Sequence, residues 1–243
     1  MPVRRLAIGL SLLALIVLLI GGPGYRLGLW DLGFGLLGVM RYALYLGAAG
    51  ASLAVVGLLL PRIREHGWGL LAIALVLGAC VAAVPVGVRQ VASGKPFIHD
   101  ITTDLDDPPA FVAVVPLRAD APNPPEYGGE EVAEQQRSGY PELGPAHFDR
   151  PPSAVFEAAL ATVDAMGWTR VAAVAEDGRI EATDTTLWYG FKDDVVIRIQ
   201  ETPDGTRVDV RSKSRVGGSD LGKNADRIAE YLARLDTRLN GSS

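Results

Sequence analysis

Three stretches near the start of the chain are almost free of polar residues: Leu6 to Ile20, Tyr42 to Leu60 and Trp68 to Val88. A helix needs roughly 20 apolar residues, within about 17–25, to cross hydrocarbon. The second and third runs meet that length. The first reaches 17 residues once Gly21 and Gly22 are counted. Its basic start also resembles a signal peptide, but Ile20-Gly-Gly-Pro-Gly-Tyr25 carries no A-x-A-like cleavage site. The expectation is a bundle of about three membrane helices within residues 1–88, at 6–22, 42–60 and 68–88. Leu27 to Met40 is apolar but broken by Asp31 and four glycines, so it reads either as an interfacial stretch or as an extension of the second helix. In that helix Gly47, Ala48, Ala51 and Ser52 form overlapping small-xxx-small pairs. Such pairs serve either packing within the bundle, the favoured reading, or a dimerisation face.

Past position 88 the pattern changes. Residues 89–126 carry Ser93-Gly94-Lys95-Pro96, Asp107-Pro-Pro109 and Ala121-Pro-Asn-Pro-Pro125. Prolines at this density predict an extended connector, with Phe111 to Val115 as a short edge strand. Pro151-Pro152 opens a helix with an apolar stripe at Phe156, Leu160 and Val163, stopped by Gly167. Four strands follow, at Trp168–Ala175, Arg179–Asp184, Asp193–Glu201 and Thr206–Lys213, with Glu176-Asp-Gly-Arg179 and Thr202-Pro-Asp-Gly205 as hairpin turns. Leu221, Ala225, Ile228, Leu232, Leu235 and Leu239 then step by four and three along a closing amphipathic helix.

The predicted class is α+β: the membrane bundle, the 89–126 connector, and a soluble domain over 127–243. That domain is expected to be a two-layer sandwich of a four-stranded antiparallel sheet with helices on one face. If Thr202–Gly205 is the turn, opposing residue numbers sum to 407, so Ile199 faces Val208 and Arg198 faces Asp209. A one-residue slip would drive Asp209 into the core.

Charge separates the two halves. Of 23 basic and 28 acidic residues, six and two fall in 1–88, leaving 17 and 26 beyond, a balance of +4 against −9. An acidic domain repels phosphate backbones, which argues against nucleic acid as a partner. Cys80 is the one cysteine, and His66, His99 and His147 are far apart in sequence. Neither a disulfide nor a recognisable metal spacing is encoded, so no metal and no cofactor is expected.

The flanks Arg4, Arg5, Arg62 and Arg64 tie with Arg26, Arg41, Arg89 and Lys95. The first helix usually dominates orientation, which places the N-terminus in the cytoplasm. The expected address is the inner (plasma) membrane, with the C-terminal domain periplasmic or otherwise extracytoplasmic.

His99-Asp-Ile-Thr-Thr-Asp104, followed by Pro108-Pro109-Ala-Phe111, is similar to the opening motif of domain of unknown function 1499. The run from Val208 through Arg211, Lys213, Arg215, Gly217-Gly218 and Lys223 to Ile228 resembles that family's closing motif. The likeness covers roughly residues 97–238. It implies an envelope-associated domain, in some relatives preceded by membrane helices, and transfers no activity.

Gly217, Gly222 and Lys223 satisfy G-x-x-x-x-G-K, but Asn224 stands where a nucleotide site needs a Ser or Thr hydroxyl, so no nucleotide is expected. Arg211, Lys213, Arg215, Ser219 and Lys223 surround a Gly-Gly turn entering a helix, a composition suited to an anion. The structural alternative is that Ser219 or Asp220 caps the helix. Arg211 would then pair with Asp194 or Asp209, and Arg215 with Asp184 or Asp220. His99, Asp100 and Asp104 read as turn formers, with metal or acid/base work as the alternative. Asp184 begins an aromatic run to Phe191 that reads as a packed strand end, or else as a ligand or lipid contact.

Three functions stay open. The first is a non-catalytic envelope module binding another envelope protein or an anionic ligand. The second is a structural or assembly subunit held in the lipid bilayer. The third is a hydrolase-type enzyme using Asp100, Asp104, Asp184 and Asp220 as clustered carboxylates.

Overall fold

The computed structural model describes residues 2–65 and 67–241. Met1, His66, Ser242 and Ser243 lie outside the described residues, and with them the end of the Pro61–His66 loop. The chain divides into two compact units: residues 1–94 with Trp188–Gly190, and residues 95–187 with 191–243.

The first unit is helical. α1 spans Pro2–Arg26, α2 Val39–Leu59, the single turn α3 Pro61–Arg64, and α4 Trp68–Ser93. A π-helical turn at Phe34–Gly38 runs directly into α2, so the segment after Asp31 extends the second helix. Three helices are long and apolar enough to cross a membrane: Pro2–Arg26, Phe34–Leu59 and Trp68–Ser93. Small residues set their packing distance. A Cβ built on Gly47 would lie 2.7 Å from the Gly78 carbonyl oxygen, and one on Gly50 would meet Ser11 Oγ at 2.4 Å. The Ser11 hydroxyl donates to the Ala74 carbonyl oxygen at 2.8 Å. Gly47 faces into the bundle, whereas Ala48 and Ser52 are exposed.

The second unit is α+β. Its strands are β1 Asp100–Thr102, β2 Ala146–Phe148, β3 Thr169–Val174, β4 Arg179–Thr185, β5 Lys192–Thr202 and β6 Gly205–Ser214. Its helices are α5 Glu130–Gly139, α6 Pro152–Ala165 and α7 Lys223–Asn240. The sheet has six strands in the order β1-β6-β5-β4-β3, with β2 also paired to β6 and every pairing antiparallel. This corrects the expected four. β1 and β2 are three residues each, too short for an alternation to register, and they share β6 end to end.

The β5–β6 register follows the turn, with Ile199 opposite Val208 and Arg198 opposite Asp209. Alternation along these strands gives the sheet two unlike faces. Ile180, Ala182, Val195, Ile197, Ile199, Val208 and Val210 meet Val155, Phe156, Ala159 and Val163 of α6 and Ile228, Tyr231 and Leu235 of α7. Trp168 stacks on Tyr231 with ring centroids 5.4 Å apart. α5 is attached elsewhere: Gln136 accepts from the Thr102 amide at 3.0 Å and donates back to its carbonyl at 2.6 Å. The expected edge strand from Phe111 to Val115 is not formed. Val115–Arg118 forms a 3-10 turn instead, and Phe111 and Val114 pack with Val196 on the face away from α6 and α7.

Candidate functional site

The proline-rich segment lies on that second face as a roof. A segment without regular structure must still find partners for its backbone groups when it is buried. Proline sharpens the problem, because it offers a carbonyl and no N–H. The strands beneath supply what is missing, and they do so with charged side chains.

Arg211 grips Asp100 with two hydrogen bonds, Nε to Oδ1 and Nη2 to Oδ2, both 2.9 Å. Its remaining donors reach the carbonyl oxygens of Pro109 at 3.3 Å and Pro125 at 3.0 Å. Its guanidinium lies 4.8 Å from the Phe111 ring centroid and 5.3 Å from that of Tyr127, within cation–π range. Lys213, opposite Asp100 in the ladder, places Nζ 3.0 Å from Asp100 Oδ2 and donates to the Glu126 carbonyl at 2.5 Å.

Arg215 makes a second bidentate pair, with Asp194, at 2.9 and 2.8 Å, and donates to the Leu117 carbonyl at 2.5 Å. Arg118, from the roof itself, sets Nη1 3.2 Å from Asp194 and donates to the Asn123 carbonyl at 3.0 Å. Thr183 Oγ1 donates to Asp194 Oδ1 at 2.7 Å. Arg211 and Arg215 therefore pair with Asp100 and Asp194, not with the carboxylates that sequence reasoning offered. The true partner of Arg211 lies 111 residues away along the chain.

Acids on the same face take up the roof's N–H groups. Glu181, fully buried, accepts from the amides of Val112, Ala113 and Val114 at 3.1, 2.9 and 3.0 Å, and pairs with Arg179. Asp104 Oδ1 accepts from the amides of Asp106 and Asp107, an Asx turn, while Oδ2 meets Arg198 at 2.9 Å and Arg207 at 2.6 Å. Burial pushes the Asp104 carboxyl up, but the amides of Asp107 and Asp106 and the guanidiniums of Arg207 and Arg198 outweigh it. The group is held below its ordinary value. Burial lowers Lys213 and Arg118, against the opposing pull of Asp100 and Asp194 respectively.

The other residues singled out from sequence sit apart from this face's ion pairs. Asp220 Oδ1 and Oδ2 accept from the amides of Gly222 and Asn224, each at 2.8 Å, which secures the start of α7. Its carboxyl is raised by burial, partly offset by those amides. Ser219 Oγ accepts from the Leu221 amide at 3.3 Å. The turn between them is tight enough to hold Leu221 at φ 58° and Gly222 at φ 87°. His99 Nδ1 lies 3.3 Å from the Gly218 carbonyl. Asp184 is held by Arg227 Nε and Nη2 at 3.0 and 2.8 Å, and the same guanidinium reaches Asp193 at 2.6 Å.

Lys223 is exposed. It lines a cleft of about 230 Å³ with Asp184, Arg227, Glu230, Arg234 and Trp168. The structure thus brings Arg211, Lys213 and Asp100 together, sets Arg215 beside them on Asp194, and leaves Ser219 and Lys223 at the α7 start. Arg118, Glu181 and Arg227 were missed by sequence reasoning, and Asp194 was offered as a partner for Arg211 and not for Arg215. Glu181 and Asp194 belong to the charged residues at alternate strand positions, whereas Arg118 in the 3-10 turn and Arg227 on α7 carry no such signal.

Two matched ends enclosing this ion-paired sheet agree with a family comparison. The model of a protein family of unknown function, DUF1499, matches residues 100–235. The chain belongs to the DUF1499 family. No curated protein matches the chain. The DUF1499 match begins at Asp100 and ends at Leu235, so it takes in the roof, the whole sheet and most of α7.

Proposed function

We propose that this DUF1499 protein is a non-catalytic binding or accessory module, anchored in the membrane by its helices and exposed outside the cytoplasm. One observation carries the reading. The four carboxylates that an enzyme would use are each held by different partners: Asp100 by Arg211 and Lys213, Asp104 by Arg198 and Arg207, Asp184 by Arg227, and Asp220 by the α7 amides. A general acid or base needs a proton-transfer partner in reach of substrate. Carboxylates committed separately to guanidinium pairs and a helix start support scaffold duty instead. The strand cations have the same character, since Arg211, Lys213 and Arg215 are spent on Asp100, Asp194 and roof carbonyls.

The binding surface we assign is the cleft at the start of α7. There Lys223 is exposed beside Arg227, which is paired with Asp184, and Arg234, which is paired with Glu230, in a domain that is otherwise acidic. It suits an acidic group on another envelope protein. The test is photocrosslinking of the whole chain in its native membrane, with the reactive group at Lys223 and, as control, at Arg137 on α5. A defined adduct from position 223 and none from 137 is the expected outcome. Identical adducts from both positions would overturn the assignment.

A further inference from the structure

We propose that the centre formed by Arg118, Arg211, Lys213 and Arg215 around Asp100 and Asp194 holds a small monovalent anion of the chloride class. The inference goes beyond the binding role above and does not depend on which side of the membrane the domain faces.

The charge count motivates it. Four cations share two carboxylates, an excess of two positive charges, and their side chains are between 0 and 12 % exposed. Buried charge is tolerated only when it is neutralised as well as hydrogen-bonded. The carbonyl oxygens of Pro109, Leu117, Asn123, Pro125 and Glu126 satisfy donors in this centre, but carbonyls carry no net charge.

A second observation is independent of the count: donors are left over. Arg118 is 3 % exposed, and its Nε–H finds no acceptor among the described residues. Its Nη1, although 3.2 Å from Asp194, is not aligned to donate. The Tyr127 hydroxyl, buried where its ring faces the Arg211 guanidinium at 5.3 Å, is also without a hydrogen-bond partner among the described residues. Burial pushes that hydroxyl up to about 12, so it keeps its proton and stays a donor. Water would fill such donors but would leave the charge. An organic phosphate has no way in, because Arg118, Asp194 and Arg211 are sealed from solvent. A monoatomic anion answers the charge, the donors and the closure together.

An anion bound only in the folded state raises the melting temperature with the logarithm of its concentration once its Kd is exceeded. The experiment is thermal unfolding of the full chain in detergent at constant ionic strength, with chloride exchanged against gluconate. A rise with chloride and with bromide, absent with gluconate, is expected. R118Q, which removes one cation and the two orphaned donors of Arg118, should lose most of that dependence, while R137Q keeps it. If R118Q does not fold, chlorine-35 line broadening on the wild-type chain replaces it, with relief by bromide expected. Equal melting in chloride and gluconate would overturn the proposal. So would an unchanged chloride response in R118Q, or broadening no greater than that of the urea-unfolded chain.

Discussion

On the helix side of the sheet, Ile180, Val195, Ile197 and Val210 meet the apolar stripes of α6 and α7. On the roof side the same strands present Glu181, Asp194, Asp209, Arg211 and Lys213, and these are equally buried. The difference follows from what covers each face. A helix satisfies its own backbone, so it asks only for apolar surface. The roof from Thr103 to Tyr127 has only one 3-10 turn, so its amides and carbonyls need partners from the sheet. Charged side chains provide them: Glu181 takes three amides, and Arg211 takes two carbonyls contributed by prolines. One face is held by area, the other by direction.

That contrast can be broken by mutation. The largest effect is expected from Arg211→Ala. It leaves the buried Asp100 with Lys213 alone and frees two proline carbonyls, at a cost of about 3–5 kcal/mol in urea unfolding of the chain in detergent. Ile197→Ala on the helix face should cost roughly 3 kcal/mol through a cavity, with the roof still in place. The sharper comparison is between their side effects, since only the arginine variant should speed hydrogen exchange in residues 103–127. Arg198, which is partly exposed between Asp104, Asp107 and Asp209, should lose about 1 kcal/mol on substitution by alanine.

The smallest effect is a pH dependence. The folded Asp104 carboxyl is held below its ordinary value, so its stabilisation is complete above that value and fades as pH falls through the folded one. Asp104→Asn should remove this part of the acid sensitivity. Asp220 has the opposite sign: its raised carboxyl favours folding at low pH and loses that contribution as pH rises through the raised value. Asp220→Asn should therefore steepen the net loss of stability in acid.

Much of the helix face was legible in the sequence. The hairpin turn at Thr202–Gly205 and the alternation of β5 and β6 set the register, and the Leu221–Leu239 stripe marked α7. The roof was not legible, because proline signals an extended path and says nothing of where its carbonyls go. Charged residues at alternate strand positions read as a solvated face, which is the ordinary meaning of that pattern. α5 escaped notice because Val132 and Ala133 are the only apolar residues among its ten. Of the anion candidates, the basic excess was visible, but the Asp100 and Asp194 partners were not. A single chain carries no local trace of contacts 111 and 21 residues apart.

The central claim, that a charged sheet face fixes the roof through its backbone, is tested most directly at three amides. Hydrogen exchange in the intact chain should find Val112, Ala113 and Val114 protected to a degree comparable with β5. In Glu181→Gln all three should exchange much faster while β5 is unchanged. If those amides exchange in the wild-type chain as fast as an exposed loop, the roof is not held as described and the account fails.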